Sequence, residues 1–218
     1  WMTWTNKAIL DEQGQLVEIL CVGNDITKRK QIERDLQFSM KEQEQHTRDL
    51  RLLSHMSSLF QACRTEEDTY SVVRNVCKLL FPSDSGYLSI LASSKTHLHV
   101  VTAWGETPPD TKIFGVDDCW ALRRDETYVI EPSDKRPLCQ HLNAFPAEGY
   151  LCAPISAPGD PLGVFYLRFS PFKPEYSENE CTRLREAKRM MVNRVVTQYA
   201  LSLVNLRLRE TLRLESIR

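Results

Sequence analysis

No apolar run in this 218-residue sequence is long enough to span a bilayer, and no charged-then-apolar leader opens it. A cytoplasmic chain without a membrane segment is therefore expected. No charge of one sign dominates. The 28 Lys and Arg are interspersed with 29 Asp and Glu, for a net charge of −1. A basic stripe for nucleic acid and an acidic tail are both excluded. Glycine and proline are absent from Ile26 to Cys63 and again from Ser177 to Arg218. Neither stretch contains a helix breaker, so each is expected to be one long helix. The cysteines Cys21, Cys63, Cys77, Cys119, Cys139, Cys152 and Cys181 include no close Cys-x-x-Cys pair. In an intracellular chain they are expected to be thiols or ligands and not a disulfide framework.

The apolar share, 42%, and the charged share, 26%, are those of an ordinary globular protein. From the start, Trp4, Ala8 and Leu10 lead into the turn Asp11-Glu12-Gln13-Gly14, and Leu16 to Val22 returns as a second strand. Two strands alone do not persist in water, so this hairpin must end something larger or dock on a neighbour. The helix that follows, with Thr27 as its expected cap, carries a heptad through Ile32, Leu36, Ser39, Gln43, His46, Leu50, Leu53, Ser57 and Phe60. The seam is apolar at both ends and polar in the middle. That pattern predicts a parallel homodimer contact with a soft centre.

Glu66 to Leu80 reads as a second helix, with Val72, Val73, Val76, Leu79 and Leu80 on one face and Cys77 beside them as a small core residue. Gly86 to Ala92 and His97 to Trp104 alternate as strands. Gly105 to Gly115 is a loop, and Asp117 or Asp118 can cap a short helix that bears Cys119, Trp120 and Leu122. Thr127 to Ile130 is a strand, and Leu138 to Leu142 is either a helical turn or an extended piece. Gly149 to Ser156 and Leu162 to Ser170 form a hairpin across Ala157 to Pro161. Both of its strands are apolar on nearly every residue, so both of their faces should be covered. Ser177 and Glu180 make a capping box for the last helix. Leu184, Ala187, Met191 and Val195 are expected to pack on the sheet, with Leu201, Val204, Leu208 and Thr211 in a heptad-spaced stripe that requires a partner. The fold class is α/β (α+β): an antiparallel sheet with helices packed on it, flanked by long helices at both ends.

The chemistry concentrates between Asp117 and Cys152. Cys119, Cys139, His141 and Cys152 offer three thiolates and an imidazole, a donor set suited to zinc or an iron centre. An extended chain would point Cys139 and His141 the same way. The spacings of 20, 2 and 11 residues match no standard zinc pattern. The same residues also read as buried apolar cysteines with a histidine capping a loop. Trp120 and Arg123 complete the candidate ligand-binding residues, Arg123 as a possible anion contact. Cys139 and His141 could pair as nucleophile and base, but no orienting acid or oxyanion hole accompanies them. The chain is therefore read as regulatory and not as an enzyme.

Two resemblances extend this reading. Trp4-Thr5-Asn6, the Asp-Glu-x-Gly turn and Gly23-Asn24-Asp25-Ile26-Thr27-Lys28-Arg29-Lys30 resemble the last two strands and exit motif of a PAS domain. Tyr150-Leu151-Cys152-Ala153-Pro154-Ile155, followed by Leu162-Gly163-Val164-Phe165-Tyr166-Leu167, resembles the closing hairpin of a GAF domain. The Asp117 to Arg124 block, with Cys139-Gln140-His141-Leu142, is similar to a bacterial subgroup found ahead of diguanylate cyclase (GGDEF) domains. The resemblances imply strands of a PAS domain at 1–25, a linker signalling helix at 26–49, a GAF sensor at 50–194 and an output helix at 195–218. No Gly-Gly-Asp/Glu-Glu-Phe loop and no His-Glu box is present. The implied partner is a second copy of the chain, and the implied signal is a small molecule, a metal or a redox change. A bilin is a further option from phytochrome-like GAF domains, but Gln140 separates Cys139 from His141 where those domains place them side by side. A structural dimerisation spacer is the competing class.

Overall fold

The computed structural model describes residues 1–157 and 160–215. Pro158 and Gly159 of the expected hairpin turn, and the last three positions of the expected output helix, lie outside them. The chain divides into two compact units, Trp1–Arg48 and Asp49–Arg218.

In the first unit, β1 (Met2–Leu10) pairs antiparallel with β2 (Leu16–Asp25). Asp11 builds the turn: its Oδ1 accepts from the backbone N–H of Gln13 at 2.9 Å and of Gln15 at 2.8 Å. Gly14 supplies the positive φ of 79° that the turn needs. Apolar residues on both faces of the ribbon, Trp4, Ile19, Leu20 and Val22 among them, are exposed. α1 (Thr27–Ala62) follows. At its start Asp25 Oδ1 accepts from Thr27 N–H at 2.9 Å; Thr27, the expected cap, is the helix's first residue.

In the second unit, the last turns of α1 bury Leu53, Met56 and Phe60, and Cys63 is buried just after them. Two residues of the expected dimer seam, Leu53 and Phe60, thus belong to the domain's own core. The seam positions Ile32, Leu36 and Leu50 remain exposed. α2 (Glu66–Leu80) starts on a capping box in which Thr65 Oγ1 accepts from Asp68 N–H and the Asp68 carboxylate accepts from Thr65 N–H. It buries Val73, Val76, Cys77 and Leu80, whereas Leu79 is exposed.

Six strands form one antiparallel sheet in the order β5-β4-β3-β8-β7-β6. They are β3 (Ser85–Leu91), β4 (His97–Trp104), β5 (Ile113–Gly115), β6 (Tyr128–Ile130), β7 (Tyr150–Ala157) and β8 (Asp160–Arg168). β5 falls where a loop was expected. Its three residues add to the edge of β4, with Phe114 opposite Leu98. α3 (Trp120–Arg124) is short, and α4 (Glu178–Glu215) is continuous. No break separates a domain from an output helix at 194/195, because Val195, Val196, Tyr199, Leu203 and Leu206 are all buried in the core. Ala187, expected on the sheet, is exposed, and the packing begins at Met191 and Val192. Leu201, Leu208 and Leu212 lie exposed on the far side of α4.

The strand pleat divides the interior in two. Leu151, Ala153 and Ile155 of β7, with Leu162, Phe165 and Leu167 of β8, face the helices α1, α2 and α4. Tyr150 and Cys152, with Val164 and Tyr166, face the other way, onto a layer of loops and α3. The expectation that both strands are covered on both faces is met. At the ends of the two central strands, β3 and β8, the half-buried Lys188 Nζ lies 2.7 Å from the buried Asp84 Oδ2, and Ser170 donates to Asp84 Oδ1 through both its N–H and its hydroxyl. Among the described residues no helix is long and apolar enough to cross a membrane.

Candidate metal and thiol centre

Three chain segments converge on the loop face. Cys119 precedes α3. Cys139 and His141 lie on the loop between β6 and β7. Cys152 stands on β7, where the pleat turns it toward that loop. Their three Sγ atoms and a ring nitrogen of His141 all lie within 4.8 Å of one another. All four side chains are removed from solvent: Cys119 and Cys152 are 0% exposed, and Cys139 and His141 1%. All seven cysteines are free.

Of the two expectations for Leu138 to Leu142, a helical turn or an extended piece, the convergence comes from a turn. Cys139 to Leu142 is a turn, closed by Leu142 N–H donating to the Cys139 carbonyl at 3.2 Å. Asp118 does not cap α3, because its carboxylate folds back to accept from Gly115 N–H at 2.7 Å. Its backbone carbonyl instead holds the loop, accepting from Gln140 N–H at 2.8 Å.

The rest of the loop is tethered in the same manner. Tyr128 Oη donates to the Pro137 carbonyl at 2.9 Å, and Trp120 Nε1 donates to the Leu138 carbonyl at 3.2 Å. Cys139 N–H donates to Tyr150 Oη at 3.0 Å, and Thr111 Oγ1 donates to the His141 carbonyl at 3.3 Å. Three elements and two loops thus satisfy the backbone of a segment with no ladder of its own. Gly149, at φ 84°, starts β7 so close to β6 that a Cβ there would overlap the Ile130 carbonyl.

His141 is oriented from both sides. Its Nδ1 lies 2.7 Å from Tyr87 Oη, which directs Nε2 toward the sulfurs, 3.6 Å from Cys152 Sγ. Phe114 stacks on the imidazole at 4.5 Å between ring centroids. Tyr87, Tyr166 and Cys152 stand in register across three neighbouring strands. The sequence reading missed Tyr87, Phe114 and Tyr150. Tyr150 was within reach, since it lies two residues before Cys152 and so shares its face. Tyr87 and Phe114 carry no local signal and are supplied by strand pairing.

The sulfurs share charge unequally. Hydrogen bonds from Cys119 and Cys152 hold the Cys139 thiol far below its ordinary range. Trp120 N–H also donates to Cys139 Sγ at 3.4 Å. The Cys119 thiol is pushed up to about 12, first by its hydrogen bond with Cys139, and Cys152 is raised, first by burial. Burial also raises the Tyr87 and Tyr150 hydroxyls, so both stay neutral.

Trp120 is half-buried and roofs the loop. Arg123 is exposed and stacks on the Trp120 ring at 4.1 Å, so it is not among the converging ligand atoms. His97 and His99 pair face to edge at 4.8 Å on β4 beside a surface turn.

No family profile matches the sequence, and no curated protein matches it. Solved structures do match. The GAF domain of a phosphoenolpyruvate-protein phosphotransferase from Coxiella burnetii is 14% identical, with a TM-score of 0.55 over 75% of this chain and 96% of that one. Its counterpart from Acinetobacter is 12% identical, with a TM-score of 0.54 over 75% and 97%. The phycocyanobilin-bound GAF domain of a cyanobacterial phytochrome is 14% identical, with a TM-score of 0.54 over 74% and 96%. The second unit has a GAF fold. At such identities the likeness establishes the fold alone, so the chemistry of the site rests on this chain's own residues.

Proposed function

We propose that this chain is a sensory module in which the buried Cys119, Cys139, His141 and Cys152 centre is the sensing element and α4 is the reporter. One observation carries the reading: four ligand-type side chains converge on one side of β7 while α4 packs on the other. Successive residues of that strand address the two layers. Cys152 meets the centre, and Leu151 and Ala153 meet the layer of Val195, Val196 and Tyr199. Thr127, just before β6, adds a polar tie by donating to Asn193 Oδ1 on α4 at 2.7 Å. A change in metal occupancy or thiol state moves the loop and β7, and α4 is seated differently on the strand's other face.

The exposed stripe of Leu201, Leu208 and Leu212 supports pairing with a second copy of the chain, which would convert a shift of α4 into a change of register between partners. The last helix resembles those that lead into diguanylate cyclase domains, and such a domain is the proposed output. GAF domains occur in sensor proteins, and one solved neighbour is part of a methyl-accepting chemotaxis protein. The full burial of all four side chains argues against a catalytic thiol, which must meet its substrate. It equally disfavours covalent bilin attachment at Cys139.

The test measures output of the full-length protein for Cys139→Ala and His141→Ala with the signal present and absent. Loss of regulation with retained basal output supports the reading. Unchanged regulation in both variants leaves the module a dimerisation spacer.

A further inference from the structure

The four donors discriminate among metals. Three thiolates and one imidazole in a four-coordinate arrangement form a donor set typical of structural zinc. Iron–sulfur clusters draw on four cysteines or on paired histidines. A tetrahedron with zinc–sulfur bonds of about 2.3 Å places neighbouring donors about 3.5 to 3.8 Å apart. Cys152 Sγ and His141 Nε2 stand 3.6 Å apart, and no pair in the set exceeds 4.8 Å. The side chains are 0 to 1% exposed, so no open position remains for a substrate or an exchanging water. The surroundings complete the argument. With Nε2 turned to the cluster, His141 Nδ1 has its own partner in Tyr87 Oη at 2.7 Å, the outer contact that metal-binding histidines require. Cys139 Sγ accepts from Trp120 N–H, which offsets excess charge on a thiolate-rich centre.

We propose that Cys119, Cys139, His141 and Cys152 hold one zinc ion in a closed tetrahedral site that staples the loop between β6 and β7 to the sheet, with Tyr87 as a positioning residue. The inference rests on the reading of this cluster as the sensing element and names its ligand. The ligands come from before α3, from the loop and from β7, so zinc ties together three segments otherwise joined by hydrogen bonds and apolar packing. Binding the ion replaces the thiol protons, which are released to solvent.

The experiment is metal analysis of the purified full chain, followed by chelation and return of zinc or cobalt(II). The expected result is one zinc per chain, and a tetrahedral cobalt–thiolate spectrum on replacement. Cys139→Ser and His141→Ala should lose the metal. Should those variants fail to fold, the chelated wild type gives the same answer through its re-uptake stoichiometry. Tyr87→Phe should keep the fold and the ion but weaken binding about 10- to 100-fold in chelator competition. A merely structural tyrosine would lower the melting temperature without changing that competition. A colourless chain that stays metal-free after expression and refolding with zinc overturns the proposal, as does one that carries iron. Stoichiometric zinc with regulation indifferent to Cys139→Ala would refute the sensory reading and keep the zinc site. A metal-free chain whose regulation is lost in the variant would do the reverse.

Discussion

The two faces of the sheet are built from the same strands by opposite means. The helical face is a continuous apolar layer in which Phe165 meets Trp104 at 5.0 Å and Phe81 at 6.4 Å. Elements of 15 residues or more cover it. The loop face is covered by short pieces and carries tyrosines, three thiols and a histidine. Apolar burial is sufficient for the first face. On the second, apolar burial is joined by individual hydrogen bonds that hold the loop, each contributing about 1 kcal/mol. Under the zinc proposal the loop face would depend on the ion, whereas the helical face would not.

That contrast can be broken most forcefully on the helical side. Phe165→Ala should lower stability by about 3 to 5 kcal/mol, measured by denaturant unfolding, and the loss should be the same with and without chelator. A chelator-dependent loss would mean the faces are not separable. Removing zinc from the wild type should cost about 3 kcal/mol when the ion is present at some hundredfold its dissociation constant, read as a fall in melting temperature. In Cys152→Ala that chelator effect should vanish.

The sharper tests are smaller. Thr65→Ala removes a cap on the helical face and should cost about 1 kcal/mol in thermal unfolding, again without chelator dependence. Asp134 gives a pH handle on the loop. Its hydrogen bond with Arg136 lowers the carboxyl to about 2 from 3.8. A carboxylate depressed on folding stabilises above its ordinary value and loses that contribution as pH falls toward 2. Arg136→Ala should raise the Asp134 titration from about 2 toward its ordinary value, followed by carboxyl NMR, with little change in stability at neutral pH.

The helical face was legible in the sequence because its signals are local. Val73, Val76 and Leu80 recur at helical spacing, and the unbroken apolar runs of β7 and β8 announce burial on both sides. The four candidate ligands were legible as residue types, but their meeting was not. The turn at Cys139 to Leu142 is set by partners on Asp118, Trp120, Tyr128 and Tyr150, none of which a local pattern contains. β5 has three residues and exists only because the edge of β4 is free to pair. Asp118 read as a helix cap because Asp before a helix usually is one; here Gly115 N–H competes for its carboxylate and wins. On the α1 heptad, Leu53 and Phe60 serve the domain core, a use the spacing alone does not distinguish from a dimer seam.

Hydrogen exchange of the full chain with zinc bound and after chelation tests the central claim most directly. The account predicts faster exchange on chelation in two places: the loop between β6 and β7, and the stretch of α4 around Asn193 to Tyr199. Exchange in α2 should be unchanged. Faster exchange in the loop with no change in α4 would contradict it, because the state of the centre would then stop at β7.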